Sequence, residues 1–151
     1  AGDVATWDDV KLLTVRIDRL KRWTLPGLLC IGDAAHAMSP VGGVGVNLAV
    51  QDAVATANLL ATKLAHGCPT EHELDAVRRR RLFPTRMTQA MQVVVQNGIV
   101  RPALAATPGG MRPPLLIRII NAVPWLQGQV ARLVGRGIRP EHVRSKEAPP
   151  P

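Results

Sequence analysis

The feature that most constrains the fold is a short apolar run feeding a glycine-rich loop and then a long helix. Leu28-Leu29-Cys30-Ile31 is continuous in apolar character and is bounded by Pro26-Gly27 before it and Gly32-Asp33 after it. Such a run is expected as a strand buried on both faces, the kind found in parallel sheets flanked by helices. The loop from Gly32 to Gly45 holds four glycines and Pro40. A helix from about Gly45 to Ala65 should follow. Its polar members Asn47, Gln51, Asp52, Thr56, Asn58, Thr62 and Lys63 fall within one half of the helical wheel, and Val46, Ala49, Val50, Ala53, Val54, Ala57, Leu60, Ala61 and Leu64 fill the other. Gly67 and Pro69 end it. Strand, loop and long helix in this order make the fold class α/β.

The loop is also where the chemistry concentrates. Gly32 lets the backbone approach a ligand closely. Asp33 follows at the carboxyl end of the expected strand, where open α/β sheets bind ligands, and suits hydrogen bonds from sugar or polyol hydroxyls. The helix N-terminus carries a partial positive charge of roughly half a unit, favouring an anion or a group that becomes anionic. The bland alternative is an ordinary strand–loop–helix connection with glycines for turning. The loop's length, Asp33 directly after the strand and Asn47 in the first helical turn favour a site.

The string Gly32-Asp33-Ala34-Ala35-His36, then Pro40, then Gly42-Gly43-Val44-Gly45-Val46-Asn47, resembles the second flavin motif of the class A FAD-dependent monooxygenases, the aromatic-ring hydroxylases. Arg22-Trp23 and Pro26-Gly27-Leu28-Leu29 are similar to that family's approach to the motif. The close resemblance covers about Arg19 to Leu60. It implies a Rossmann-like FAD-binding domain, of which this chain would be the C-terminal portion with a helical C-terminal extension. It further implies that Gly32 and Asp33 lie at the cofactor, with Asp33 on the ribityl chain of FAD. Pro40 would lie beside the flavin ring, where oxygen reacts. Gly42, Gly43, Val44, Gly45, Val46 and Asn47 would line the site, presenting donors to the pyrimidine edge. His36 is either a packing histidine or a direct contact. NADPH or NADH would be the reductant, and O2 and a small organic, often aromatic, substrate the partners, in the cytoplasm. A reductase or halogenase of the same fold, or a non-catalytic basic helical interaction module, are the alternative functions.

That family's N-terminal fingerprint, Gly-x-Gly-x-x-Gly after a strand, does not occur in these residues. Gly43-Val44-Gly45 continues with Val46-Asn47-Leu48, and Gly135-Arg136-Gly137 ends at Pro140. The family's middle Asp-Gly pair is absent as well. The chain therefore reads as half of a flavin site, expected to hold FAD weakly by itself.

The organisation expected is residues 1–70 as the end of the FAD-binding domain, residues 71–140 as a helical extension and residues 141–151 as a disordered tail. Trp7 to Leu13 suits a short helix. Alternating Leu13, Val15 and Ile17 mark the end of a substrate-domain strand at 12–20. Thr70 with Glu73 forms a capping box for a helix from Glu71 towards Gly98, which Pro84 should kink or interrupt. Arg101 to Pro114, with four prolines, reads as a loop or hinge. Leu115 to Val134 reads as helix broken near Pro124. Met87, Met91 and Val94-Val95 form an apolar stripe suited to core or to a domain contact.

Aromatics are only 3% of the residues, so the core must be built from Leu, Val, Ile and Ala. The net charge of +8 raises the question of nucleic acid. Arg78-Arg79-Arg80-Arg81 point around most of a helix and have no aromatics interleaved for stacking, which favours a solvated helix over a nucleic-acid partner. Cys30 and Cys68 form no metal-ligand pair and fit a reducing compartment. Cys30 reads as a small buried hydrophobe. No run is apolar enough to suggest a transmembrane segment.

Overall fold

The computed structural model describes Thr6, residues 16–105 and residues 114–144. The expected helix at Trp7–Leu13 and the start of the expected strand lie outside them. Within them the chain is mostly helical, with one small sheet. Strands β1 (Thr24–Leu25) and β2 (Leu28–Leu29) pair antiparallel about the Pro26-Gly27 turn, with Thr24 opposite Leu29 and Leu25 opposite Leu28.

This corrects the reading of Leu28–Ile31 as a strand buried on both faces. β2 ends at Leu29, and its strand partner among the described residues is the adjacent arm of its own hairpin. Leu28 is 50% exposed, and Cys30 is half-buried. A strand is buried on both faces only when sheet neighbours flank it and helices cover both sides. Among the described residues β2 has one neighbour, and the helices cover the side of Leu29, leaving Leu28 open. Residues 16–20 form no strand. The Asp18 and Leu20 N–H groups instead donate to the Ala37 and Ala35 carbonyls at 3.2 and 2.8 Å.

Helix α1 (Val44–His66) begins one residue before the expected start and ends at Gly67, as expected. Helix α2 (Glu71–Val95) starts at the expected capping box, where Thr70 Oγ1 accepts from the Glu73 N–H and the Glu73 carboxylate accepts from the Thr70 N–H. The two helices form an antiparallel hairpin. Lys63 reaches Glu73 near its turn, while Asp52 meets Arg81 midway along it. Lys63 and the Thr70 N–H and hydroxyl hold the Glu73 carboxyl down at about 2. Leu60, Leu74 and Val77 make the apolar core, against which Leu29, Ile31 and Leu59 pack.

Pro84 neither kinks α2 into two helices nor ends it. The helix runs through Pro84, with the Thr85 hydroxyl donating to the Arg81 carbonyl at 2.8 Å. A π-helical turn (Gln96–Val100) and α3 (Arg101–Ala105) continue it, so the start of the expected 101–114 loop is helical. Beyond the residues that follow, α4 (Leu115–Ala122) and α5 (Pro124–Arg136) break at Pro124 as expected.

The chain then returns along α1 as a strap. Asn47 Nδ2 donates to the Gly135 carbonyl at 3.3 Å, Gln51 Nε2 to Arg136 at 2.8 Å and Asn58 Nδ2 to His142 at 2.8 Å. Arg80 grips Glu141 through two nitrogens at 2.7 and 2.8 Å. Residues 141–144 are thus held in place, contrary to their assignment to a disordered tail, and residues 145–151 lie outside the described ones.

The inner faces of the helices also differ from expectation. On α1 the buried positions are Val44, Leu48, Asp52, Ala55 and Leu60, whereas Val46 and Val50 are 73% and 57% exposed. With 23 residues and an 18-residue stretch of mean hydropathy 1.2, α1 is by length and composition long and apolar enough to cross a membrane, contrary to the expectation that no run is. Its buried carboxylate and its amide row facing the strap suit a core helix. On α2, Met87 and Val94 face outward, while Arg81, Thr85, Thr88, Gln89 and Gln92 are buried.

Candidate flavin-binding site

The loop between β2 and α1 is held from within. Gly32 opens a 3-10 turn (Gly32–Ala34) with φ +57, and a Cβ there would lie 3.0 Å from the Ala49 Cβ. Only glycine accommodates both the left-handed backbone and the close approach to α1. The Gly32 N–H donates to Asp52 Oδ2 at 3.1 Å. His36 Nε2 bonds the same oxygen at 2.6 Å, and Arg81 Nε donates to Asp52 Oδ1 at 2.8 Å. All three side chains are shielded from water.

Burial by itself would raise the Asp52 pKa. The hydrogen bonds from His36 and Arg81, the charge interaction with His36 and the Gly32 N–H outweigh it and hold the carboxyl below its usual range. An ionised Asp52 can only accept, so His36 Nε2 carries the proton of their bond. His36 Nδ1 is then the nitrogen left without a partner among the described residues. The His36 ring packs on the buried Trp23, centroids 5.2 Å apart.

Further along, α2 takes over. Gln89 Nε2 donates to the Ala37 and Asp18 carbonyls at 3.2 and 2.7 Å. Gln92 bonds both backbone groups of Ser39, donating to its carbonyl at 2.7 Å and accepting from its N–H at 3.3 Å.

The outer side of the loop is open. Asp33, Pro40, Gly42, Gly43, Val46 and Asn47 are exposed, Gly45 is half-buried, and Gly32 and Val44 are buried. The Asp33 carboxylate has no hydrogen-bond partner among the described residues. A second 3-10 turn (Val41–Gly43) leads into α1, with Gly42 and Gly43 at φ +81 and +62. Gly43 is the N-cap of α1, and no side chain caps it. A Cβ at Gly43 would meet nothing within 4 Å, while one at Gly45 would meet the Met38 Cβ at 3.4 Å. An uncapped helix N-terminus beside two bare glycines leaves N–H groups for an outside acceptor. This suits the electron-rich edge of a flavin, and the free Asp33 suits a polyol chain. Asn47, expected at the flavin, spends its side-chain amide on Gly135.

Sequence reasoning did not single out Asp52, Arg81, Gln89 or Gln92. The signal was nevertheless present. Asp52 is in phase with Val44, Leu48 and Ala55 on α1, and Arg81, Gln92 and Thr85 continue the phase of Leu74 and Val77 on α2. The four consecutive arginines differ in their partners: Arg78 and Arg79 pair with Asp75, Arg80 with Glu141, and Arg81 with Asp52 and, at 3.8 Å, with Glu141. A groove of about 420 Å³ lies elsewhere, beside Lys21, Arg22, Glu71, Asp75 and Arg78, where Arg22 pairs with Glu71 and Arg78 with Asp75.

The family model for the FAD binding domain matches residues 3–91, more than half the chain. The chain belongs to that family. It is similar to 6-methylpretetramide 4-monooxygenase of Streptomyces rimosus, with 44% identity over 89 residues, 59% of this chain and 21% of that protein. It is also similar to the FAD-dependent monooxygenases ltmM of Epichloe festucae and dpmaE of Metarhizium anisopliae. The first is 39% identical over 57 residues, 38% of this chain and 12% of the relative. The second is 38% identical over 74 residues, 47% of this chain and 16% of the relative. The matched stretch thus spans about a fifth or less of these relatives' length. No solved structure matches the chain.

Proposed function

We propose that this chain supplies the flavin-ring side of the FAD site of a monooxygenase. The observation that carries the reading is a loop bound throughout on its inner side, with Asp33, Pro40, Gly42 and Gly43 left open before an uncapped helix N-terminus. In this reading Asp33 accepts hydrogen bonds from the ribityl hydroxyls. Val44, Gly45 and Val46 turn the unbonded N–H groups of the first helical turn towards the pyrimidine edge of the ring, and Gly43, whose own N–H bonds the Pro40 carbonyl, and Asn47 line that edge. Gly32 and Gly42 give the backbone its close approach, and Pro40 lies beside the ring. FAD, once reduced by NADPH or NADH, supplies the oxygen-activating chemistry, while the protein places and polarises it. The substrate is a small organic molecule, and O2 is the co-substrate. The β1–β2 hairpin, the loop and α1 form the last part of a Rossmann-like FAD-binding domain within residues 1–70. Residues 71–140 are its helical extension, and α2 braces the loop.

Two measurements test this. Joined to the Gly-x-Gly-x-x-Gly half that these residues lack, the protein should carry the flavin absorbance bands and consume oxygen with NADPH or NADH plus a substrate. A colourless protein that takes up no added FAD defeats the reading. Flavin reduction by the nicotinamide with no substrate-dependent oxygenation would favour a reductase instead.

A further inference from the structure

We propose that Gln89 and Gln92 of α2 are positioning residues of the flavin site, fixing the loop that carries Asp33 and Pro40 before any ligand arrives. The inference rests on the flavin reading above. It starts from an anomaly of α2, whose inward face changes character along its length. Leu74 and Val77 enter the apolar core, but the positions that follow in the same phase are Arg81, Thr85, Thr88, Gln89 and Gln92, all buried. Burying such groups is unfavourable unless each finds a partner.

The partners are what give the stripe a role. Gln89 spans two segments, donating to Asp18 and Ala37 while accepting from Arg19 Nη1 at 2.6 Å. Gln92 satisfies both the N–H and the carbonyl of Ser39, as a neighbouring strand would. Ser39 directly precedes Pro40, so this two-point bond sets the direction in which the chain enters the Val41–Gly43 turn. Asp52 holds the other end of the loop through Gly32 and His36. The loop is therefore fixed at residues 32, 36, 37 and 39, and the open side chains lie between or just beyond these points. A primary amide is the side chain that can donate and accept at once, which is what Ser39 requires. Holding the loop in advance spares the ligand the entropy of ordering it.

The test uses the protein in which these residues are joined to the dinucleotide-binding half they lack, as wild type, Gln92→Met and Gln92→Glu. Fluorescence titration gives the FAD Kd, visible circular dichroism reports the surroundings of the bound ring, and thermal melting without FAD reports folding. Gln92→Met keeps length and volume but cannot bond Ser39. At a temperature where it is fully folded, its FAD Kd should rise at least about tenfold and the visible band should change shape. Gln92→Glu retains an acceptor for the Ser39 N–H and should fall between the two. A folded Gln92→Met with Kd within about twofold of wild type and an unaltered band overturns the proposal, because a purely structural role would move only the melt. Should Gln92→Met fail to fold, hydrogen exchange on wild type decides. The Ser39 amide should be protected before FAD is added, and exchange at the unprotected rate would overturn the idea. Wild type that takes up no FAD would instead sink the flavin reading, and this proposal with it.

Discussion

The Arg81 guanidinium and the Asp52 carboxylate meet at 2.8 Å with both side chains fully shielded from solvent, 29 residues apart in the chain. Arg81 also donates to the Arg139 carbonyl at 3.1 Å and to Gln51 at 3.2 Å. Asp52 also takes the Gly32 N–H and His36. One ion pair therefore ties the loop, both long helices and the returning strap together.

Removing one partner should be costly. Asp52→Ala strands a buried guanidinium, and losses of about 3–5 kcal/mol are typical of that change. The double replacement Asp52→Leu with Arg81→Met removes both charges and should recover part of the loss. It should remain about 1–3 kcal/mol below wild type, because the Gly32 N–H and His36 Nε2 still lose their acceptor. Denaturant unfolding of the three proteins checks the order. Equal stability of wild type and Asp52→Ala would show that the pair contributes nothing.

The pH dependence follows from the same group. The folded-state pKa of Asp52 is depressed, so its stabilising contribution is fully present above the unfolded value of about 3.9 and is lost as pH falls from there through the folded value. Unfolding free energy measured from pH 7 down to pH 2.5 should drop more steeply below about pH 4 in wild type than in Asp52→Asn. Parallel curves for the two proteins would remove Asp52 as the source.

At the ligand side, Asp33→Ala should weaken FAD binding about ten- to a hundredfold. A hydrogen bond to a charged acceptor is worth about 1.5–3 kcal/mol. Asp33 is exposed and bonds nothing in the described structure, so the melting temperature without FAD should stay nearly unchanged. A variant with unaltered flavin affinity would take Asp33 out of the site.

Gly32→Ala should destabilise the protein for two separable reasons. The left-handed φ of +57 costs an L-residue about 1–2 kcal/mol, and the new Cβ would press on Ala49 at 3.0 Å. Adding Ala49→Gly relieves the contact but not the backbone strain. The double variant should therefore fall short of the Ala49→Gly single variant by roughly the backbone cost alone. Thermal melts of the three variants and wild type give the comparison, and a stable Gly32→Ala would contradict the close approach of loop and helix.

The α1 and α2 helices, the Thr70 capping box, the break at Pro124 and the glycine-rich loop before α1 are legible in the sequence, because local periodicity, caps and glycine spacing are written in neighbouring residues. What tertiary structure decided is which face of each helix turns inward. A wheel places Val46 and Val50 with the apolar half of α1, yet they lie exposed, and Asp52 is buried. Four arginines in a row look alike as sequence, and only the antiparallel approach of α1 and α2 gives Arg81 a carboxylate that the other three do not share. Leu28-Leu29-Cys30-Ile31 has the composition of a central strand, but a strand's burial belongs to its sheet neighbours, and here the one strand paired with it is its own hairpin arm. The loop's own residues thus suggest its proposed role, whereas what holds it still comes from side chains up to 53 residues away, as with Gln92 and Ser39. Hydrogen bonds of that range leave no period in the sequence, because each depends on two backbones meeting in space.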